Sequence, residues 1–384
     1  MGVKQRLLFV VTEDWYFVSH RLDLARAARD AGFEVALATR VDKDAARIES
    51  EGIRLFPLRY LRRSSMRPWT EASAIRELTT LYREWRPHIV HHVAAKPVIY
   101  GGLASLRARV PAVVAALAGL GYVFSSSSLR ARAMRPAMLA AYRAALRHPH
   151  LRLIVQNRSD EEMVIARHLI APQSVTRIRG SGVNTSVFTP SNEPVGVPIF
   201  VLAARMLWDK GIGEFVEAAR MLRSRGVSAR FVLVGDTDRE NPAAIPLVQL
   251  QRWQAEGLVE WWGYRTDMPD VLRAAHAACL PTSYGEGLPK ILLEAAACGR
   301  PLIATDVPGC REIAIHNETA LLVPPRDPAR LSEAIEKLAT DRDLRERLGR
   351  RARELVCSNF TIQHVNAQTL TVYRELLSEC IRQS

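Results

Sequence analysis

Acidic side chains are missing from a long stretch of this sequence. None lies between Glu84 and Asp160, where Arg86, Lys96, Arg107, Arg109, Arg130, Arg132, Arg135, Arg143, Arg147, Arg152 and Arg158 all fall. A solvated helix face normally mixes signs, so ordinary surface patterning does not account for this segment. Residues 1–190 carry 29 Lys and Arg against 15 Asp and Glu, a net +14, whereas the remainder carries 24 against 25. The excess of +13 therefore belongs to the first half, and a field of that sign answers nucleic acid or an anionic membrane. Cysteine is scarce: residues 279, 298, 310, 357 and 380 are odd in number and lack CxxC spacing, which argues against a disulfide framework and fits a reducing cytoplasm. No His/Cys cluster has metal-ligand spacing, and Cys298, in an alanine-rich segment, reads as packing. No run approaches the roughly eighteen apolar residues of a membrane span. The start, Met1-Gly-Val-Lys-Gln-Arg6, passes too quickly into a strand to read as a signal peptide, and Arg6 stands where a myristoylation signal wants Ser or Thr.

What the chain does contain is strand and helix in alternation, twice. In the first half, strands are expected at Leu7–Val11, Glu34–Ala38, Arg54–Pro57, Ile89–His92, Ala112–Leu117, Leu151–Val155 and Val175–Ile178. Helices are expected between them, the first over Ser19–Ala31 with Ser19 as N-cap and Gly32 as stop. A Pro/Ser/Gly-rich segment, Thr189–Pro198, reads as a linker. The pattern restarts with strands at Ile199–Ala203, Arg230–Val234, Val259–Trp262, Ala278–Pro281 and Pro301–Asp306. Such alternation predicts α/β architecture with two doubly wound parallel-sheet domains, whose ligand lies in a cleft at the carboxyl ends of the strands. The 384 residues suffice for two cores. The expected division is 1–190, a linker at 191–198, a second domain at 199–358, and a final segment 359–384 bearing a helix.

The densest chemical signal is Ser283-Tyr-Gly-Glu-Gly-Leu-Pro-Lys-Ile-Leu-Leu-Glu294. Gly285 and Gly287 free the backbone, Pro289 suits a first helical turn, and the unpaired N–H groups of the helix that follows make an anion site. Glu286 on the loop and Glu294 in the helix then stand a little over two turns apart. One carboxylate can reach a sugar and the other a ribose. Upstream, Arg205 at a strand end and Lys210 on the next loop offer two cations.

These residues resemble a retaining glycosyltransferase of family 4, with the two-domain GT-B fold, and the resemblance covers nearly the whole chain. The family's Glu, seven residues, Glu hallmark matches Glu286 and Glu294; its diphosphate-binding pair matches Arg205 and Lys210; its hinge signature appears in altered form as Gly180-Ser-Gly-Val-Asn184. In the first half, Trp15-Tyr-Phe-Val-Ser-His-Arg21, Lys96-Pro-Val-Ile-Tyr-Gly-Gly102 and Ala118-Gly-Leu-Gly-Tyr-Val-Phe124 are similar to the subgroup that adds N-acetylgalactosamine to polyprenyl-diphosphate-linked sugars or begins O-antigen units.

The resemblance implies a UDP-sugar donor held by Arg205, Lys210, Gly263, Glu286, Gly287, Leu288, Pro289 and Glu294, with Glu286, Lys210 and Arg205 carrying the chemistry. Arg205, Lys210 and the helix N-terminus would neutralise the diphosphate, making a metal unnecessary. Glu286 would hold donor hydroxyls and oppose positive charge at the anomeric carbon, and Glu294 would accept from the ribose. Gly263 would let the base approach the backbone. The resemblance also implies that the final helix crosses back to the first domain. His20, Lys96 and Tyr16 are the acceptor-side candidates, with His20 placed to meet a phosphate or merely to cap. Of His91 and His92, one is expected to face the cleft and the other the core. Asp236-Thr-Asp238 is a weak D-x-D metal motif that reads better as a polar turn.

Leu129–Arg147 is a basic helix interrupted by Pro136, with Met134, Met138, Leu139, Tyr142 and Leu146 available for an apolar face. Cationic and apolar faces together favour an anionic membrane surface over nucleic acid, and packing of the same helix on its own domain is compatible with that reading. The expectation is an enzyme on the inner face of the cytoplasmic membrane that takes a polyprenyl-diphosphate-linked acceptor. A soluble small-molecule acceptor and a basic nucleic-acid-binding α/β protein are the competing readings. The donor sugar, the linkage and the oligomeric state are not given by these residues.

Overall fold

In the computed structural model, residues 4–63, 67–119, 129–238, 240–283 and 285–383 are described. The chain forms two compact units, Met1–Ser181 with Ile362–Ser384, and Gly182–Thr361. Parts of two expected features, residues 120–124 of the Ala118 segment and the serine run 125–128, lie outside the described residues, as does Tyr284.

The first unit holds β1 (Arg6–Glu13), β2 (Glu34–Arg40), β3 (Arg54–Pro57), β4 (Ile89–Val93), β5 (Ala112–Ala116), β6 (Leu151–Val155) and β7 (Val175–Arg177) in the order β3-β2-β1-β4-β5-β6-β7. Among the described residues every strand pairing in this sheet is parallel. Near-continuous apolar runs such as Leu7–Val11 and Ala112–Ala116 are fully buried because helices cover both faces of the sheet. Strand order reverses between β1 and β4, so the segments leaving these two strands diverge and open a crevice at their carboxyl ends.

The second unit repeats the plan with β8 (Ile199–Ala203), β9 (Arg230–Val234), β10 (Glu260–Trp261), β11 (Ala277–Leu280), β12 (Leu302–Thr305) and β13 (Ala320–Val323), ordered β10-β9-β8-β11-β12-β13. Its reversal falls between β8 and β11.

Three expectations need correction. Residues 191–198 are no free linker, because buried arginines fasten this stretch to the second unit. Arg345 grips the Glu193 carboxylate with two guanidinium nitrogens, and Arg300 donates to the Ser191 hydroxyl and to the Asn192 carbonyl at 3.2 Å. The first boundary accordingly falls at Ser181/Gly182. Ser19 is not an N-cap: it lies inside a helix Asp14–His20 that precedes a second helix, Leu22–Asp30. This earlier start is held by Asp14, whose buried carboxylate accepts from the N–H groups of Trp15, Asp42 and Asp44 at 2.7, 2.7 and 3.1 Å. The basic helix Leu129–Ala145, with Pro136 inside it, packs part of its apolar side inward. Tyr142 and Leu146 are buried in the core of the first unit, and Met138 and Leu139 pack against it.

The last helix, Ile362–Gln383, is part of the first unit, burying Val365, Val372, Tyr373, Leu376 and Leu377 beside Phe9 and Phe33. Tyr373 places its hydroxyl on Nδ1 of His91, and Arg152 pairs with Glu379 at 2.9 Å.

His91 and His92 are both buried, against the expectation that one would face the crevice. With both sheet faces covered, alternate residues each meet a helix: His91 meets Tyr373, while His92 Nε2 meets the Tyr82 hydroxyl at 2.9 Å. Burial pushes the His91 imidazole well below its usual range and that of His92 down to about 3. Both are neutral in the fold and free to charge once unfolded, so the stability they contribute is full above about pH 6.5 and drains away as pH falls below it. Tyr373→Phe leaves Nδ1 of His91 without this partner, and we expect a loss of about 1–3 kcal/mol in urea denaturation. An unchanged midpoint would show that the hydroxyl contributes nothing to docking the helix.

Candidate active site

At the reversal point of the second sheet, the loop after β8 and the loop after β11 are joined. Leaving β8, the chain makes a short 3₁₀ turn at Trp208–Lys210 and enters the helix Ile212–Ser224 through Gly211. Gly211 is required twice: its φ is +77°, and a Cβ there would run into the Pro281 carbonyl at the end of β11. That close approach lets the Asp209 carbonyl accept both the Ser283 N–H and the Thr282 hydroxyl at 3.0 Å. The same hydroxyl lies 3.2 Å from Oε1 of Glu286, and the Lys210 ammonium donates to that oxygen. Lys210 and Glu286, 76 positions apart in sequence, thus form an ion pair whose side chains are 17% and 13% exposed.

The backbone behind this pair is tightly packed. Gly309 leaves no room for a Cβ, which would strike the carbonyls of Glu286 and Gly287. The Thr305 hydroxyl at the end of β12 donates to the Thr282 carbonyl. Cys310, a buried thiol pushed up by burial and then by the Glu286 carboxylate, lies in the same neighbourhood.

Pro289 is the N-cap of the helix Lys290–Ala297, one residue before the expected first-turn position. Leu288 sends its side chain into the core, so only its backbone is available to a ligand. Glu294 lies within this helix; burial pushes its carboxyl up, opposed by the Lys290 ammonium 3.3 Å away. Gly263, at φ +64°, accepts the Gly235 N–H at 2.8 Å through its carbonyl and so fixes the turn after β10. Arg205 is 42% exposed and pairs with Asp238 at 2.6 Å. The D-x-D segment thus supplies an arginine partner, and among the described residues no group of three or more His, Cys, Asp or Glu could hold a metal.

In the first unit, Tyr16 and His20 sit one helical turn apart with rings stacked at 4.2 Å and 5°. Lys96 belongs to another cluster: its ammonium is 3.1 Å from the Glu71 carboxylate, 2.9 Å from the Arg62 carbonyl and 5.8 Å from the Tyr100 ring. Between β4 and the helix Gly102–Ala108 the backbone is unusual, with Ala94 at φ +74° and a π-helical turn over Pro97–Gly101. Such departures gather at functional sites. Gly101 is needed there because a Cβ would meet the His92 ring.

Sequence reasoning missed Thr282, Gly309 and Asp238 as supports. Thr282 alone carried a signal: a hydroxyl just past a strand end, four residues before the loop carboxylate.

The family described as "Glycosyl transferase 4-like" matches residues 6–157, and that described as "Glycosyl transferases group 1" matches residues 197–341. The chain belongs to glycosyltransferase family 4. Over 346 residues it is 28% identical to the N,N'-diacetylbacillosaminyl-diphospho-undecaprenol alpha-1,3-N-acetylgalactosaminyltransferase of Campylobacter jejuni, covering 86% of this chain and 89% of the relative. It is 31% identical to the alpha-D-kanosaminyltransferase of Streptomyces kanamyceticus over 184 residues, covering 47% of this glycosyltransferase and 46% of that protein. Solved structures confirm the GT-B class. Sucrose-phosphate synthase from Thermosynechococcus elongatus superposes with a TM-score of 0.81 at 21% identity, covering 98% of this chain and 100% of that one. Anabaena HepE in complex with UDP and glucose gives 0.77 at 17%, covering 96% and 99%.

For this glycosyltransferase, Gly309→Ala should displace the backbone carrying Glu286. Steady-state kinetics is expected to show turnover reduced roughly ten- to hundred-fold, whereas overpacking costs only about 1–3 kcal/mol of stability. Unaltered turnover would mean that the backbone position of Glu286 is not critical.

Proposed function

We propose that the enzyme transfers a hexose or N-acetylhexosamine from a UDP-sugar to a polyprenyl-diphosphate-linked saccharide, with retention of configuration and without a metal. It would act from the inner face of the cytoplasmic membrane in the assembly of a surface or glycoprotein glycan. The observation that carries the donor half is the meeting of Lys210 and Glu286 at the sheet's reversal point, next to the start of the helix Lys290–Ala297.

A sugar diphosphate leaving group brings negative charge that must be matched. Lys210 would exchange Glu286 for a diphosphate oxygen, and Arg205 would do the same from Asp238, two charge-assisted bonds replacing two. Glu286, released from the ammonium, would hold donor hydroxyls and oppose the positive charge growing at the anomeric carbon. Glu294 would accept a ribose hydroxyl. Same-face attack, with the departing phosphate taking the acceptor's proton, makes no use of a second carboxylate as nucleophile.

Support for the acceptor is the similarity along most of the chain to an enzyme whose named substrate is a diphospho-undecaprenol sugar, together with the cationic first half. Among the described residues no helix is long and apolar enough to cross a membrane, so contact with such an acceptor would be peripheral. Tyr16 and His20, at the reversal point of the first sheet, are the side chains proposed to meet it. Lys96 would first have to leave Glu71 to serve a diphosphate.

The proposal is tested by UDP release over a panel of UDP-sugars with a short-chain polyprenyl-diphosphate saccharide and EDTA present. Release that depends on the acceptor and ignores EDTA is expected; release that stops with EDTA, or that needs a soluble acceptor instead, would contradict it. Lys210→Ala should weaken UDP binding about ten-fold or more in calorimetry, whereas Glu286→Gln should depress kcat far more than UDP affinity. Equal UDP affinity in wild type and Lys210→Ala would remove Lys210 from the diphosphate.

A further inference from the structure

We propose that the segments flanking residues 64–66, namely Arg59–Arg63 and Arg67–Trp69, form the anchor by which the first unit docks on an anionic lipid surface. This rests on the reading of a membrane-borne acceptor and replaces the basic helix as the contact. In the helix Leu129–Ala145, Tyr142 is buried, and Leu146 just beyond it is buried too, so they cannot enter a lipid interface. By contrast, Trp69 is 79% exposed in the first turn of the helix Pro68–Trp85, and Tyr60 is 44% exposed.

Indole and phenol rings gain most where one end is apolar and the other wet, which is the headgroup level of a bilayer. Arg59, Arg62, Arg63 and Arg67 accompany them, and residues 59–69 contain no acidic residue. The nearby carboxylates are engaged by other partners. Glu77 accepts the Arg59 and Tyr60 N–H groups at 2.9 and 3.2 Å, and Glu71 binds the Lys96 ammonium. These bonds also present the anchor on a fixed base: Lys96, just beyond β4, donates to the Arg62 carbonyl and ties the segment to the carboxyl ends of the sheet, where the acceptor site is proposed. Cationic headgroup attraction and aromatic insertion therefore act at the sheet end that faces the acceptor.

The test uses the full chain with vesicles of phosphatidylcholine alone or mixed with phosphatidylglycerol, some carrying brominated acyl chains. Wild type is expected to sediment with the anionic vesicles only, and brominated lipid to quench a tryptophan signal that Trp69→Phe abolishes. Arg62→Ala combined with Arg63→Ala and Arg67→Ala should lower partitioning about ten-fold or more, whereas Arg132→Ala with Arg143→Ala should lower it less. Turnover of a water-soluble short-chain acceptor should be unchanged in Trp69→Ala, which shows that the variant is folded, while turnover of vesicle-borne acceptor falls. Full partitioning and vesicle turnover in the arginine and Trp69 variants would overturn the anchor while leaving the acceptor reading intact. Vesicle binding through Trp69 by an enzyme that ignores every lipid-linked acceptor would do the reverse. Salt-sensitive binding to single-stranded DNA with no vesicle recruitment would also overturn it.

Discussion

The candidate site depends on one close approach, that of Gly211 to the Pro281 carbonyl. Because a Cβ is absent there, the Asp209 carbonyl can accept from Thr282 and Ser283, and the loops leaving β8 and β11 become one structure. Lys210 and Glu286 are then neighbours by construction. The Thr282 hydroxyl and the glycine at 309 define the oxygen and backbone positions of the carboxylate. A charged pair with each side chain less than a fifth exposed gains little net stability once desolvation is counted, so an anion that matches Lys210 better can take the place of Glu286. That property suits a site proposed to receive and release a diphosphate.

The first unit solves a different problem with the same topology. Its sheet is sealed on both faces, so His91 and His92 become neutral packing groups bonded to tyrosines. The residues proposed to meet the acceptor lie on what leaves β1 and β4, where Tyr16 and His20 stack and the path from Ala94 through Gly101 departs from regular geometry. The helix Ile362–Gln383, from the far end of the chain, completes this unit's core, so its stability depends on residues remote in sequence.

Much of this was legible in the sequence, for physical reasons. Buried parallel strands are short apolar runs, and Arg54–Pro57, Leu151–Val155, Ile199–Ala203 and Arg230–Val234 appear within the same limits as expected. The two-unit α/β architecture followed from alternation, and the Glu286 to Glu294 segment was recognisable because glycine and proline mark its backbone. What stayed hidden depends on tertiary partners. Asp14 starts a helix through N–H groups near residue 42, Arg345 and Arg300 bind down an apparent linker, and the Leu129 helix keeps part of its apolar side for its own core. No local pattern separates an apolar helix face meant for lipid from one meant for the protein interior.

A crystal structure with UDP bound would decide whether Lys210 and Glu286 form the donor site. The diphosphate is predicted to lie within hydrogen-bond reach of Lys210 and Arg205, beside the start of the helix Lys290–Ala297, with the Lys210–Glu286 bond broken. UDP bound elsewhere, with that ion pair intact, would contradict it.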